Sequence, residues 1–224
     1  MGAALTEPGA TPRHMTLRLA SAFRACPGLV LLVATVFGPG CTTPHQVDLV
    51  ELTNADFELP LDSGWTFSCD TGRYSTVTVF RSDTLDQPEP GFAVHVSAAY
   101  TTSRDASISQ TTPIETLAQV LRFWAKFRTA SDTSEAYSSE VTLSYLSSSG
   151  ARLGRTSVIR KSARRDLRCS DSVHVIPVTD TSGQWIPYAL NLQAELDSWL
   201  PRVDQASIRR LRVELRAGVY WSPS

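Results

Sequence analysis

The chain has 224 residues, a formal net charge of -1 at pH 7, 42% hydrophobic and 19% charged residues. These values are ordinary for a globular protein and leave room for one domain and a leader. The near-neutral charge argues against nucleic-acid binding, because that function needs a clustered excess of Lys and Arg. We therefore expect one folded domain and no nucleic-acid partner.

The first 40 residues have the pattern of a signal peptide. Arg18 and Arg24 form a positively charged region, and an unbroken apolar stretch runs from residue 29 to residue 37. That stretch is much shorter than the ~20 residues that a helix needs to cross a bilayer. We predict that residues 1–40 are a leader that is removed, with Met15 favoured as the true start.

Cys41 follows the small residues that end this leader. The arrangement resembles the lipobox of bacterial lipoproteins, in which the Cys is lipidated and becomes the first mature residue. Gly38 and Pro39 depart from that pattern, which usually has Leu or a similar residue three positions before the Cys. The resemblance implies export and a lipid anchor on Cys41, with residues 41–48 as a tether and Thr42 favouring the outer membrane. Plain secretion after cleavage nearby is the alternative.

Two cysteines remain once Cys26 has left with the leader and Cys41 carries the lipid. Cys69 and Cys169 are then an even pair in an oxidising compartment, where disulfides form. A bridge between them would close a loop of about 100 residues and stabilise the fold by ~4.7 kcal/mol in the chain-entropy model. We predict this disulfide, and two buried free thiols are the alternative.

Past the tether, short runs of alternating apolar residues succeed one another. They are STVTVF (75–80), GFAVHVSAAY (91–100), TLAQVLRFWAKFRT (116–129), SSEVTLSYLSSSG (138–150), GRTSVIRKS (154–162), SVHVIPV (172–178) and SIRRLRVELRAGVYW (207–221). In the third run, one predicted face holds Leu121, Phe123, Ala125 and Phe127, and the other holds Arg122, Trp124, Lys126 and Arg128. Such alternation is typical of half-buried antiparallel strands, and many short strands of this kind indicate a β-sandwich. We predict an all-β domain over residues 49–224.

One segment near residues 190–200, ALNLQAELDSWLP, has helical spacing instead. Leu192, Leu196, Trp199 and Leu200 recur at i, i+4, i+7 and i+8, and Pro201 follows. We predict a short amphipathic helix that covers the sandwich. The apolar stripe, including Trp199, is expected to lie in the core.

Residues 51–70, ELTNADFELPLDSGWTFSCD, resemble the opening of galactose-binding-like jelly-roll domains of the carbohydrate-binding-module type. Those domains begin with Asn, a small residue, Phe-Glu, a short gap and Gly-Trp, and the matching positions here are Asn54, Phe57, Glu58, Gly64 and Trp65. Shorter matches follow at Ser109 and Gln110 and in the stretches LRFWAKFRT and WIPYALNL. The resemblance implies an antiparallel jelly-roll β-sandwich in which the rings of Phe57 and Trp65 are core.

The same resemblance implies a structural calcium ion at Glu58, with Asp56 assisting, because carboxylate oxygens are the hard ligands that calcium prefers. The acidic pair that the family carries in its last strand is absent after Val213. The alternative is that Glu58 caps or salt-bridges the first turn.

Catalytic motifs are absent from the sequence: there is no H-E-x-x-H, G-x-S-x-G, P-loop or paired C-x-x-C. His95 and His174 each lie inside a strand between valines and are predicted to face solvent. The sequence therefore predicts a non-catalytic protein, with no catalytic residue and no cofactor beyond the calcium ion.

Sugar-binding sandwiches present exposed aromatic faces flanked by polar and charged donors, because pyranose rings combine apolar C–H faces with hydroxyl rims. The candidate ligand-binding residues are Trp124, Arg122, Lys126, Tyr100 and Tyr137. Trp124 is the proposed platform, and the alternative is that it packs under the second sheet or under the helix around Trp199.

These observations predict an exported, membrane-anchored lipoprotein whose β-sandwich binds glycan or cell-envelope polysaccharide. The alternative function is a structural or protein-interaction subunit of an envelope assembly. Its interface would be an edge strand or the region around Trp199.

Overall fold

The computed structural model describes residues 14–19, 48–69, 76–86, 88, 91–99, 104–128, 136–162, 168–180 and 182–220, the first of these ranges by backbone pairing alone. The strands within them are β1 (His14–Leu19), β2 (Asp48–Leu49), β3 (Thr66–Cys69), β4 (Thr76–Ser82), β5 (Ala93–Ala99), β6 (Arg104–Pro113), β7 (Gln119–Phe127), β8 (Ala136–Leu146), β9 (Arg152–Lys161), β10 (Val173–Pro177), β11 (Ile186–Asn191) and β12 (Arg210–Tyr220). One α-helix, α1, spans Leu192–Trp199, and a 3-10 turn spans Gln205–Ser207 in the same described residues.

Two six-stranded sheets pack face to face, which confirms the predicted all-β sandwich. Sheet one has the order β11-β7-β1-β5-β4, with β2 beside the start of β7, and sheet two has the order β10-β9-β8-β12-β6-β3. The described pairs are antiparallel except β2 with β7 and β9 with β10. Each sheet has one apolar face, and packing the two faces together removes both from water.

The alternation predicted for β7 is confirmed. Its inward residues are buried, namely Leu121, Phe123, Ala125 and Phe127. On the opposite face Arg122 and Arg128 are exposed, while Trp124 and Lys126 are half-buried. The period of two therefore identified which side of this strand meets the core.

Helix α1 lies where the spacing predicted it. The side chain of Asn191 caps its first turn and accepts a hydrogen bond from the backbone N–H of Ala194 at 3.0 Å. Its apolar stripe is buried at Leu192, Leu196 and Leu200. Trp199 departs from the prediction, because 55% of it is exposed at the last position of the helix.

The rings of Phe57 and Trp65 are core, as the resemblance implied. They are 0% and 5% exposed, with ring centroids 5.3 Å apart. Gln110 fixes the loop that carries them, since its Nε2 donates to the carbonyl oxygens of Thr53 at 3.0 Å and Gly64 at 2.7 Å. A Cβ at Gly64 would lie 2.5 Å from that Nε2, and Gly64 has a φ of +104°, so both space and backbone conformation require glycine.

Asn54 organises the first half of the same loop. Its side chain accepts from the N–H of Leu59 at 2.8 Å and donates to the carbonyl oxygens of Leu59 and Pro60. Its own carbonyl oxygen accepts from Trp65 Nε1 at 3.1 Å. Asn54 has a φ of +51°, a conformation that Asn tolerates better than most residues. The opening motif therefore builds the fold.

Strand β1 lies inside the region that the sequence predicts as a leader. It is antiparallel to β5 on one side and to β7 on the other. Cys41 and residues 20–47 lie outside the described residues, so leader removal and lipidation stay predictions. In the described part of the chain, no helix has the length and apolar character needed to span a membrane.

The predicted disulfide is wrong, because Cys69 and Cys169 are both free thiols. Cys69 ends β3 at one edge of sheet two, whereas Cys169 precedes β10 at the opposite edge. With four strands between β3 and β10 and ~4.8 Å between neighbours, the two edges lie on the order of 20 Å apart. A disulfide needs Cα atoms within ~7 Å. The alternative of two buried thiols also fails, since Cys169 is exposed.

Candidate functional site

Trp124 lies on the outer face of sheet one, away from the core. It pairs with Pro187 of β11 across the strand, and exposed Arg122 and half-buried Lys126 share its face. The ring therefore does not pack under sheet two. It is half-buried within its own sheet surface, so only part of it is open to a ligand.

Neither tyrosine candidate is found at an exposed site among the described residues. Tyr100 lies outside the described residues. Tyr137 is only 3% exposed and belongs to the core cluster, so it cannot contact a ligand and its prediction is wrong. The polar residues around it in the sequence suggested a loop, but Tyr137 lies in β8, between β9 and β12 in sheet two, and packs in the core cluster.

Glu58 and Asp56 both lie in the opening loop, where hydrogen bonds to the backbone engage them. Glu58 Oε1 accepts from the N–H of Phe92 at 3.3 Å, and Asp56 Oδ1 accepts from the N–H of Glu58 at 3.3 Å. The carbonyl oxygens of Phe57 and Glu58 accept from Arg81 Nη1 at 3.0 and 2.6 Å. Among the described residues, no three His, Cys, Asp or Glu side chains gather as a metal site would require. The calcium ion stays a prediction.

His174 is buried, not solvent-facing as predicted. It is 8% exposed, and its Nδ1 lies 2.7 Å from Glu195 Oε2. Thr156, directly opposite on β9, donates its hydroxyl to the same carboxylate oxygen at 3.1 Å. Strand β10 at the sheet edge is thus joined to helix α1 by a polar cluster. A carboxylate on Nδ1 fixes the orientation of the imidazole ring.

His95 is buried as well, which contradicts its prediction. It is 6% exposed and stacks on Phe80 of the neighbouring edge strand β4, with ring centroids 4.7 Å apart. Phe80 itself is 41% exposed. Alternation along β5 correctly places His95 opposite the apolar core face, but it does not reveal that an aromatic ring covers that side.

Trp199 packs on the polar cluster of His174, Glu195 and Thr156 and forms an aromatic platform there. Its ring lies nearly parallel to the His174 imidazole, with an interplanar angle of 8° and centroids 4.5 Å apart. The imidazole thus supports one face of the indole, and more than half of Trp199 remains exposed to solvent.

A charged pair lies close to Trp199 and His174 along the chain. Arg202, three residues after Trp199, forms an ion pair with Asp171 through Nε and Oδ2 at 2.7 Å. The backbone N–H of Arg202 also donates to the carbonyl oxygen of Asp171 at 3.1 Å, which joins the turn after α1 to the turn before β10. Both side chains are exposed, at 81% and 51%. We call Trp199, His174, Glu195, Asp171 and Arg202 the Trp199 surface.

Tyr145 lies beneath the cluster. Burial raises the pKa of its hydroxyl above the ordinary value, a hydrogen-bonding contribution from Thr156 lowers it in part, and the charge of Glu195 raises it further. The hydroxyl oxygen is fully buried without a hydrogen bond of good geometry among the described residues. The Tyr145 hydroxyl beneath the Trp199 surface is therefore uncharged at neutral pH.

A cleft of about 280 Å³ opens at the other side of the sandwich. Its lining residues are Leu61, Asp62, Trp65, Phe67, Val79 and Ile108. It lies between β3, the edge of sheet two, and β4, the edge of sheet one. Phe67 is 53% exposed at its mouth, and the sequence reasoning did not single out this residue. We call this feature the β3 cleft.

No protein-family model matches the sequence, and no curated protein matches it. Among solved structures the chain is similar to the enzymatically active domain of tailspike protein 4 from bacteriophage CBA120, at 18% identity and a TM-score of 0.41. The match covers 77% of this chain and 20% of that chain, so this chain spans about a fifth of the length of the matched structure.

This match requires a correction to the prediction of a non-catalytic protein. Because the matched domain is described as enzymatically active, the prediction that this chain is non-catalytic is withdrawn. A likeness with a TM-score of 0.41 and 18% identity carries no argument about which activity, if any, this chain has.

Proposed function

We propose that the chain binds glycan through the Trp199 surface. The observation that carries this proposal is the Trp199 ring, 55% exposed and held parallel to the imidazole of His174. A pyranose ring can place its apolar C–H face on such an indole.

The surroundings of Trp199 supply the polar part of sugar recognition. Three residues after Trp199, the guanidinium of Arg202 can donate, and the carboxylate of its ion-pair partner Asp171 can accept, the charge-assisted hydrogen bonds that sugar hydroxyls make well. The contact between His174 Nδ1 and Glu195 holds the imidazole under the indole before any ligand arrives. A platform that is already ordered loses less conformational entropy on binding.

Trp124, the platform that the sequence suggested, is the weaker candidate. It is half-buried in the surface of sheet one, whereas Trp199 is more than half exposed. A flat contact with a sugar ring needs an accessible aromatic face, and Trp199 offers the larger one.

The resemblance of the opening motif to galactose-binding-like carbohydrate-binding modules supports a glycan as the ligand class. The leader and the Cys41 lipobox support a cell-envelope polysaccharide in particular, with the domain held at the outer membrane or another cell membrane. These assignments of family, anchor and location are part of the proposal. Glycan binding is compatible with a catalytic role as well as with a purely binding one.

The test is a glycan array probed with the full chain, followed by titration of the strongest hits. We expect Trp199→Ala to weaken binding at least tenfold, a loss of about 1.4 kcal/mol, because the stacking surface is removed. Trp199 is exposed, so the variant should keep its circular dichroism spectrum and melting temperature.

Trp124→Ala is the matched control, since it removes the same side chain from the surface of sheet one and should leave affinity within about twofold of the wild type. The proposal is wrong if the wild-type chain binds no glycan on the array. It is equally wrong if folded Trp199→Ala binds as tightly as the wild type.

A further inference from the structure

We propose that the free edge of β3, together with the β3 cleft, binds an extended peptide strand that carries a large apolar side chain next to basic residues. This site is distinct from the Trp199 surface. β3 and β10 are the opposite edges of sheet two, and the Trp199 surface lies at the β10 edge.

The edge strand β3 is short, with four residues, but its sequence does not block strand addition. β3 pairs with β6 on one side, and within the described residues no strand pairs with its other side. Its sequence TFSC contains no Lys and no Pro, the residues with which edge strands usually block further pairing. Thr66, Phe67 and Ser68 are exposed. Among the described residues nothing pairs with the outward backbone groups of β3, and these are the groups that an added strand would bond.

The β3 cleft accepts a side chain of such a strand. Phe67 lies directly opposite Ile108, which is buried, and Val79 of β4 lines the same space. At about 280 Å³ the cleft is smaller than the ~300–1,000 Å³ of pockets that enclose whole drug-sized ligands. Because side chains alternate along a strand, a strand added to β3 directs every second one towards the cleft.

The charge around the cleft specifies the rest of the partner. Asp62 is exposed and lines the cleft. Residues 48–65, the segment that leads into β3, contain five acidic residues and no Lys or Arg, although of the five only Asp62 lines the cleft. Counting Arg81 of β4, which donates to the carbonyl oxygens of Phe57 and Glu58, the segment still has an excess of negative charge. A peptide with basic residues beside its apolar residue is complementary to this charge, and an acidic peptide is repelled.

The experiment measures fluorescence anisotropy of the labelled peptide Lys-Val-Phe-Val-Lys with the full chain. We expect saturable binding that weakens as salt is added, because the charge contribution is screened. Lys-Val-Gly-Val-Lys and Glu-Val-Phe-Val-Glu should each bind at least tenfold more weakly. Amide hydrogen exchange across residues 66–69 should slow when the first peptide is present.

Two variants assign the binding to the cleft. Phe67→Ala should weaken peptide binding at least tenfold, and Phe80→Ala, which removes an exposed Phe from the other edge strand β4, should not. Melting temperatures of both variants identify any loss of folding. The proposal is overturned if the peptide shows no saturable binding, or if a folded Phe67→Ala variant binds it normally. It is also overturned if sedimentation shows a dimer that Phe67→Ala dissociates, because the edge then belongs to a second copy of the chain.

Discussion

Tyr145 shows how burial changes the chemistry of a single side chain. This residue of β8 is 0% exposed beneath the polar cluster of Glu195 and Thr156, and its pKa is raised chiefly by that burial. Once the chain unfolds, the hydroxyl returns to its ordinary pKa near 10. The unfolded chain therefore loses this proton at a lower pH than the folded chain, so the folded state loses stability as pH rises above about 10.

We expect Tyr145→Phe to unfold at neutral pH with a free energy within about 1 kcal/mol of the wild type. The buried hydroxyl oxygen makes no hydrogen bond of good geometry, so little is lost with it. At a pH of about 11 the variant should lose less stability than the wild type, because a titrating group with a raised pKa is gone. Urea unfolding at both pH values measures the difference.

Tyr188, whose pKa burial also raises, remains in the variant and should leave part of the alkaline loss in place. A large loss of stability in Tyr145→Phe at neutral pH would instead mean that the hydroxyl has a partner in solution. Equal alkaline losses in the two chains would show that Tyr145 ionises as easily folded as unfolded.

Sequence reasoning at the residue scale succeeded where a side chain has one dominant role. Phe57 and Trp65 are large apolar rings in a turn-rich motif, and both are buried. It failed for His95 and His174, since alternation separates the two faces of a strand but says nothing about what covers each face. His174 is buried by contacts with Glu195 and Trp199, which are distant in sequence.

Periodicity was most reliable for the elements that pack along one face. The alternation of β12 placed Leu211, Val213 and Leu215 in the core, and the helical spacing placed Leu192 and Leu196 there. Trp199 was misplaced because α1 ends at that residue, beyond the contacts that bury the rest of the stripe. A stripe in the sequence identifies the apolar side of a helix but does not show where the neighbouring surface ends.

The central strand β8 also departs from simple alternation. A half-buried strand presents its polar face to solvent, but Glu140, Thr142 and Ser144 on the polar face of β8 are all buried. Thr142 and Ser157 of β9 share a hydrogen bond at 3.0 Å, and Arg216 of β12 lies 3.8 Å from Glu140. Neighbouring strands therefore cover this face with polar partners, and their order is a property of the sheet.

Strand β1 provides the sharpest test at the element scale. If residues 1–40 are removed as a leader, β5 and β7 lose the strand that lies between them. We expect a chain that begins at Cys41 to be less stable than the full chain by at least ~3 kcal/mol, since each lost backbone hydrogen bond contributes ~1 kcal/mol. Denaturant unfolding of both purified chains measures this difference.

A chain that lacks only residues 1–13 keeps β1 and serves as the control, with stability expected to match the full chain. Equal stability of the full chain and the Cys41 chain would show that β5 and β7 form the sheet without β1. That result would support the leader prediction over the placement of β1 in the sheet.

The positions of Cys69 and Cys169 are a property of the whole molecule. They lie at opposite edges of sheet two, so no bridge between them can form in the folded domain. We expect the melting temperature to be the same with and without dithiothreitol, to within about 1 °C, because no bond between these two cysteines is present to be reduced. An intramolecular disulfide would contribute a few kcal/mol, and its reduction would lower the melting temperature.

Thiol titration of the folded chain provides the independent measurement. Exposed Cys169 should react rapidly, and half-buried Cys69 more slowly. A melting temperature that falls by many degrees on reduction would contradict the arrangement of the strands around both residues.

The sequence by itself determined the class of fold, the faces of most strands, the short helix and the core role of the opening motif. Those features depend on residues close together in the chain, because alternation, helical spacing and turn chemistry act locally. Only the tertiary structure decided that Trp199 rests on His174, that Phe67 opens a cleft beside Val79, and that the two cysteines stand apart. The physical reason is that strand order and sheet packing bring together residues far apart in sequence, and no local spacing encodes which edge meets which.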